Sequence, residues 1–159
     1  MFTRQSLSGF TLIEVLAVMV VLAVLSIVII PKYLNISSDA NKAHLDNLES
    51  SLHSSLQQLR VICNIYEPCR NLPTWPNRYV YLPAYKQRIM LIGRYPEAGS
   101  LNREGEIHDL INTSGFVASN PNPKITRWSI PSVDDCYVQY KQIDGGETYP
   151  LIERVDTGC

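Results

Sequence analysis

The chain has 159 residues, of which 45% are hydrophobic and 18% charged, and its formal net charge is −1. It contains no internal repeat and no low-complexity tract, which excludes repeat and low-complexity architectures. The sequence also lacks a catalytic nucleophile motif, a phosphate-binding loop and a glutamate–histidine zinc signature. We therefore expect a protein that is not an enzyme and that needs no cofactor.

The N-terminal part of the chain contains a long apolar segment, residues 10–30, in which Glu14 is the only charged residue. A run of 21 residues can cross a hydrocarbon core of about 30 Å as a helix. The segment is too long and too charged for an ordinary signal-peptide core. A carboxylate inside a membrane is costly, and it is retained only where a partner or a function compensates for it.

A partner for Glu14 would be created by cutting the chain after Gly9. The new ammonium of Phe10 would lie one helical turn from Glu14, and it could also neutralise the carboxylate of a neighbouring copy. Arg4 is the only charged residue before the cut, which weakly favours a cytoplasmic position for the first residues. The alternative is a plain signal anchor with an incidental glutamate.

The segment Gly9-Phe10-Thr11-Leu12-Ile13-Glu14-Val15-Leu16 resembles the N-terminal motif of the type IV pilin and pseudopilin superfamily. The resemblance implies that residues 1–9 are a leader peptide, which an inner-membrane prepilin peptidase removes between Gly9 and Phe10. It also implies methylation of the new amine of Phe10 and a role for Glu14 in registering subunits during assembly.

Two further features extend this resemblance. Pro31 matches a proline that many pilins carry within the long helix, where it would kink or loosen the chain by removing a backbone donor. Residues 31–40 resemble more narrowly the mannose-sensitive haemagglutinin (MSHA) group of IVa-like pilins. This narrower resemblance implies a surface fibre that serves adhesion.

The apolar segment is followed by a second helical pattern, in which apolar residues recur at steps of three or four with polar residues between them. This pattern predicts one amphipathic helix that continues to about Cys63. The stripe covers fewer than three heptads, so core packing is favoured over a coiled-coil seam. Its residues are Leu45, Leu48, Leu52, Leu56, Leu59 and Ile62.

The remainder of the chain is punctuated by proline and glycine and predicts loops and short strands. Residues 124–130, 136–143 and 151–155 read as strands, with Asp144-Gly145-Gly146 as a turn between the last two. We predict an α+β fold, in which the long helix packs on a small antiparallel sheet. The predicted domains are the leader, residues 1–9, a transmembrane and filament-core helix, residues 10–36, and a globular head, residues 37–159.

Four cysteines on the non-cytoplasmic side of a membrane anchor favour disulfides over a metal site. Three pairings are possible, and we favour Cys63 with Cys69 and Cys136 with Cys159. The second pair also resembles the disulfide-bounded C-terminal loop of pilins. A zinc site is not expected, because no histidine lies at ligand spacing from a cysteine pair.

Charge is unevenly distributed along the predicted head. Residues 66–103 contain six basic and two acidic side chains, whereas residues 134–159 contain two basic and six acidic ones. Such regions could form head-to-head contacts that repeat along a polymer. The acidic region could bind calcium, as it does in major pseudopilins, but a solvated acidic face is favoured. Its acids include Asp134, Asp135, Asp144, Glu147 and Asp156.

The basic region also contains several aromatic residues, a composition compatible with binding DNA or acidic glycans. Core packing of the aromatic rings beside ordinary surface arginines is the favoured interpretation, and it is preferred to nucleic acid as a partner. The aromatic residues concerned are Trp75, Tyr79, Tyr81, Tyr85 and Tyr95.

Taken with the resemblance, these features predict a structural subunit of a type IV pilus. Its partners would be prepilin peptidase, an assembly platform in the inner membrane and other pilin subunits, with a host or surface glycan as a candidate ligand. It would span the inner membrane once, with its head in the periplasm, before assembly into an extracellular fibre. The alternatives are a type II secretion pseudopilin and a membrane-anchored binding protein that never polymerises.

Overall fold

A computed structural model of the chain describes residues 10–72, 79–99, 101, 103–143 and 149–159. The chain divides into two compact units, one that ends at Ser38 and one that comprises Asp39–Cys159. We call the second unit the head. The first helix, α1, contributes residues to both units.

Helix α1 comprises Leu12–Ile65 and has 54 residues. It ends two residues later than the predicted end at Cys63. Tyr66 follows in an extended conformation and caps a second, short helix, α2 (Glu67–Arg70). Pro68 lies in the first turn of α2, where its missing N–H costs no helical hydrogen bond. The segment directly after α1, where loops and short strands were predicted, is therefore largely helical.

The first sheet of the head lies in the stretch for which loops and short strands were predicted. It is antiparallel, and its strand order follows the chain. Gly93 and Arg94 form its second turn with φ values of 55° and 73°, the left-handed pair that a two-residue hairpin turn requires. Its strands are β1 (Tyr79–Leu82), β2 (Gln87–Ile92) and β3 (Tyr95–Pro96).

The second sheet is an antiparallel meander of four strands. All three predicted strands are present, whereas the first strand of this sheet was not predicted. The predicted turn at residues 144–146 lies outside the described residues. The strands are β4 (Val117–Asn122), β5 (Ile125–Ser129), β6 (Tyr137–Lys141) and β7 (Leu151–Val155).

Strand β4 lies at one edge of the four-stranded sheet and contains Asn120-Pro121-Asn122. These residue types indicate a turn when they are read in isolation. At a sheet edge, however, a proline needs no ladder hydrogen bond on its outer side. The pairing with β5 is irregular between Ser119 and Asn122, which accommodates the proline. The edge position therefore explains why these residues form a strand that their sequence did not predict.

The leucine stripe of α1 forms the core of the head, as predicted. Its first part, from Leu45 to Leu56, packs in one cluster with Trp128, Val138 and Tyr140 of the second sheet. Its last part packs in another cluster with side chains of β1 and β2. That second cluster contains Leu59, Cys63, Cys69, Val80, Leu82, Ile89 and Leu91. One helix thus serves two sheets in succession, which confirms the predicted α+β class.

Two buried hydrogen bonds join the region around β3 to strand β6 and to Gln142, the residue that follows it. The hydroxyl of Tyr140 donates to the carbonyl oxygen of Pro96 at 2.6 Å, and the N–H of Ala98 donates to the side chain of Gln142 at 2.9 Å. Burial, with a smaller contribution from Tyr95, raises the pKa of Tyr140 far above its ordinary value. These bonds satisfy polar groups that would be costly to bury alone.

Candidate assembly site and surfaces of the head

The first turn of α1 contains a reciprocal hydrogen-bonded pair, Thr11 and Glu14. The backbone N–H and the hydroxyl of Thr11 both donate to Oε2 of Glu14, at 3.0 Å and 2.9 Å. The backbone N–H of Glu14 lies 3.4 Å from the hydroxyl oxygen of Thr11. This arrangement is a capping box, in which two helix-end donors are satisfied by side chains. The carboxylate therefore has a partner within its own chain before any cleavage.

The single charge in the apolar run pointed only to a pairing of Glu14 with the new amine, and the role of Thr11 was not predicted. The signal was present, because Thr11-Leu12-Ile13-Glu14 has the threonine-x-x-glutamate spacing of a capping box before an apolar run. The box also fixes the start of the helix, since α1 begins at Leu12. Thr11 thus belongs to the candidate assembly site together with Glu14.

The other predicted residues of this site are placed as follows. Phe10 precedes the helix, and 85% of its surface is exposed. Gly9 lies outside the described residues, so the geometry of the predicted cleavage bond is not part of the structure. Pro31 lies within α1, and the kink predicted there remains a prediction.

The segment Leu12–Ile30 forms a continuous apolar surface on α1. Its mean hydropathy is 3.1, and none of it is buried against the rest of the protein. Glu14 is its only charged residue. A helix that is apolar on all sides needs a partner outside its own chain, either lipid or other apolar helices.

Two disulfides fasten the head, one between Cys63 and Cys69 and the other between Cys136 and Cys159. Their Cα atoms are 4.9 Å and 5.0 Å apart, respectively. The first links the end of α1 to α2, and the second links the last residue to the start of β6. Gly158 permits the second closure, because a Cβ atom there would lie 1.9 Å from the carbonyl oxygen of Asp134.

Arg154 of the acidic region forms one ion pair within that region and also contacts acidic side chains of α1. Arg154 on β7 contacts Asp46, and its guanidinium lies 3.6 Å from Glu49 and 2.9 Å from Asp156. These contacts join β7 to α1. By contrast, Asp135 of the acidic region and Arg88 of the basic region are exposed. The predicted contact between the two regions of neighbouring heads remains a prediction.

The aromatic residues of the basic region have different environments. Tyr79 and Tyr81 are exposed on one face of β1, where Tyr81 pairs across the sheet with Arg88. Tyr95 is 6% exposed and belongs to the core. Tyr85 is half-buried, and burial raises the pKa of its hydroxyl. Trp75 lies outside the described residues. The expectation that aromatic rings serve the core therefore holds for Tyr95 and not for Tyr79 and Tyr81.

The acidic side chains proposed as calcium ligands do not converge in the part of the chain that the structure describes. Within it, no group of three histidine, cysteine, aspartate or glutamate side chains could hold a metal ion. Asp156 is engaged by Arg154, while Asp144 and Glu147 lie outside that part. Among the histidines, His44 stacks on Phe116 with 5.3 Å between ring centres.

Comparison with known proteins identifies the N-terminal segment. Residues 5–30 match the family model described as the prokaryotic N-terminal methylation motif. No curated protein and no solved structure is significantly similar to the chain. The motif supports the type IV pilin and pseudopilin superfamily, and with it processing by prepilin peptidase and a structural rather than an enzymatic role. The resemblance to the MSHA group rests on residues 31–40, which lie beyond the matched segment.

Proposed function

We propose that the chain is a subunit of a type IV pilus that serves attachment to surfaces, as in the MSHA group. It is inserted in the inner membrane as a precursor, cut between Gly9 and Phe10, methylated on the new amine and polymerised into an extracellular fibre. The single observation that carries this proposal is Glu14. It is the only charge in the exposed apolar segment, and it lies in the first turn of the helix.

The hydrogen bonds of Glu14 leave it able to accept a further donor. Both bonds from Thr11 go to Oε2, and a carboxylate has about four acceptor positions on its two oxygens. Within the described residues, Oε1 has no hydrogen-bond donor. An ammonium from a neighbouring subunit could therefore bind Oε1 while the capping box stays intact. Alignment with a neighbouring subunit would then add a contact to Glu14 without breaking the capping box that starts the helix.

Removal of such a subunit from the membrane is energetically feasible. The exposed surface of Leu12–Ile30 would exchange lipid for other apolar helices, so little hydrophobic free energy would be lost. Glu14 would gain the amine of a neighbouring subunit as a partner. The polymer would thus bury the same surface that the membrane buries in the precursor.

The first experiment is mass spectrometry of fibres sheared from cells. We expect the peptide that begins with methylated Phe10 to be abundant relative to other pilin-like chains. Its absence from sheared material, with the processed chain still in the cell envelope, would instead indicate a pseudopilin. An uncut chain that retains residues 1–9 would indicate a membrane-anchored protein that does not polymerise.

A set of three variants separates the charge of Glu14 from its capping role. Glu14→Gln keeps an acceptor for Thr11 but removes the charge, so we expect normal insertion and cleavage with surface fibres reduced roughly tenfold or more. Glu14→Val should behave in the same way. Thr11→Ala removes the hydroxyl contacts of the box but keeps the charge and the backbone bond to Glu14, and it should retain most fibres. Normal fibres from Glu14→Gln would contradict the pairing with an amine.

A further inference from the structure

A surface cleft in the head combines aromatic, apolar and basic side chains. Its volume is about 250 Å³, and it lies between α1 and the residues that lead into β7. Tyr95 and Ile152 provide its more buried lining, whereas Gln57, Arg60 and Tyr149 are exposed. All of these residues belong to the head.

Arg60 is held at this cleft by an aromatic ring. The central carbon of its guanidinium lies 4.8 Å from the ring centre of Tyr149, which is the distance of a cation–π contact. Within the described residues, no carboxylate pairs with Arg60. A guanidinium has five N–H donors in a planar fork that suits a carboxylate. Arg60 thus offers a positioned cation whose donors are available to a ligand.

The second ring of the cleft, Tyr95, lies beside both of these groups. Its ring centre is 6.1 Å from that of Tyr149, and the two planes are inclined at 58°. Burial raises the pKa of Tyr95, and the positive charge of Arg60 opposes that rise. The cation and the two rings therefore lie close enough together to contact one small ligand.

We propose that this cleft binds an acidic sugar residue, a single pyranose ring that carries a carboxylate. The C–H face of such a ring would pack on the tyrosines and its carboxylate would bind Arg60. His53 and Gln57, which also line the cleft, would contact its hydroxyl groups. The cleft is smaller than the roughly 300–1,000 Å³ of pockets for larger ligands, which favours one ring over a nucleotide.

This proposal deepens the attachment role and rests on it in one respect, since a fibre would repeat the cleft along its length. Binding itself does not require a fibre, so the two proposals can fail separately. The test uses the full chain in detergent micelles and isothermal titration calorimetry. The probe is an oligogalacturonate, and its fully methyl-esterified form is the matched control because only the carboxylates differ.

We expect the acidic oligomer to bind and the esterified one to bind at least roughly tenfold more weakly. Arg60→Gln should weaken binding of the acidic oligomer by a similar factor, and Tyr149→Ala should weaken both oligomers. Arg88→Gln, an exposed arginine of β2, should leave binding unchanged. A thermal melt of each variant verifies that the head remains folded.

Three outcomes would overturn the proposal. Equal binding of both oligomers would exclude recognition of the carboxylate. Inorganic phosphate that competes fully at the same concentration would reduce the cleft to a general anion site. A change in self-association of Arg60→Gln without any ligand would assign the cleft to a contact between copies. None of these outcomes would affect the fibre experiments, which depend on Glu14.

Discussion

Two regions of the same helix differ completely in how they use apolar residues. In Leu12–Ile30 apolar side chains point in all directions and none of the segment is buried. From Leu45 to Cys63 the apolar residues form one stripe, and several of them have no exposed surface at all. Helix geometry is the same in both regions, so the difference lies in the partner. The second region carries its partner in its own chain, and the first must find one elsewhere.

A matched pair of leucine-to-alanine substitutions, one in each region, tests this difference in burial most directly. Leu52 is completely buried, whereas Leu25 is 50% exposed. Leu52→Ala should lower the free energy of unfolding of the head by about 4 kcal/mol, because it leaves a cavity in the core. Leu25→Ala should change it by less than about 0.5 kcal/mol. Urea unfolding in detergent, followed by tryptophan fluorescence, measures both.

A comparable loss from Leu25→Ala would contradict the view that the first region contributes nothing to folding of the head. Fibre yield provides the reverse measurement. If the first region packs only against other copies, Leu25→Ala should affect assembly more than it affects the head.

Removal of the disulfides should destabilise the head and leave Leu12–Ile30 unchanged, because every cysteine lies in the head. The bond between Cys136 and Cys159 closes the longer loop, and its removal should cost roughly 3.4 kcal/mol by loop entropy. Removal of the bond between Cys63 and Cys69 should cost roughly 2.4 kcal/mol. Cys136→Ser with Cys159→Ser, and the matching pair of substitutions at the other bond, test this order by urea unfolding. The reverse order would show that local packing outweighs loop length.

Tyrosine titration at alkaline pH distinguishes the head from Leu12–Ile30, because that segment contains no tyrosine. The folded pKa of Tyr140 is raised, chiefly by burial, above the value near 10 of an unfolded chain. The unfolded chain therefore releases this proton first, so the contribution of Tyr140 to stability should be constant below about pH 10 and fall above it. Tyr140→Phe should cost about 1 kcal/mol at neutral pH, since the carbonyl of Pro96 loses its donor.

Tyr140→Phe also serves as the control for the wild type at high pH. Between pH 10 and 11 the wild type should lose about 1 kcal/mol more than Tyr140→Phe does. Parallel curves for the two proteins would show that Tyr140 does not control the alkaline transition.

The smallest effect is expected at the ion pairs that join β7 to the head part of α1. Arg154→Ala should lower the free energy of unfolding by about 0.5 kcal/mol, since these partly exposed pairs are screened by water. The difference should shrink further in high salt. A loss of several kcal/mol that does not depend on salt would indicate that the side chain of Arg154 acts mainly by packing.

Most of this architecture follows from periodicity in the sequence. Steps of three and four from Leu45 to Ile62 identified the core stripe, and alternation in residues 136–143 identified β6. Both patterns reflect burial of one face of an element, which is a local property of the sequence. Strand β4 was not predicted, because its residues suit a strand only at the edge of a sheet. That position depends on neighbouring strands that are distant in sequence.

The candidate sites show the same division. Glu14 could be identified from a single charge in an apolar run. Its partner Thr11 could have been identified from the threonine-x-x-glutamate spacing of a capping box. The cleft around Arg60 could not be predicted in this way. Arg60, Tyr95 and Tyr149 come from three separate parts of the chain, and only the fold brings them together. Their composition gave no local signal beyond ordinary helix and loop residues.

The edge strands of the four-stranded sheet would affect how neighbouring heads interact in a fibre. Its outer strands are β4, which contains Pro121 and an irregular register, and β7, which carries Glu153 and Arg154. Proline, bulges and charged side chains are the devices that discourage edge-to-edge strand pairing. Heads repeated along a fibre would be held permanently at very high local concentration. Protected edges would let them remain neighbours there without fusing into amyloid-like aggregates.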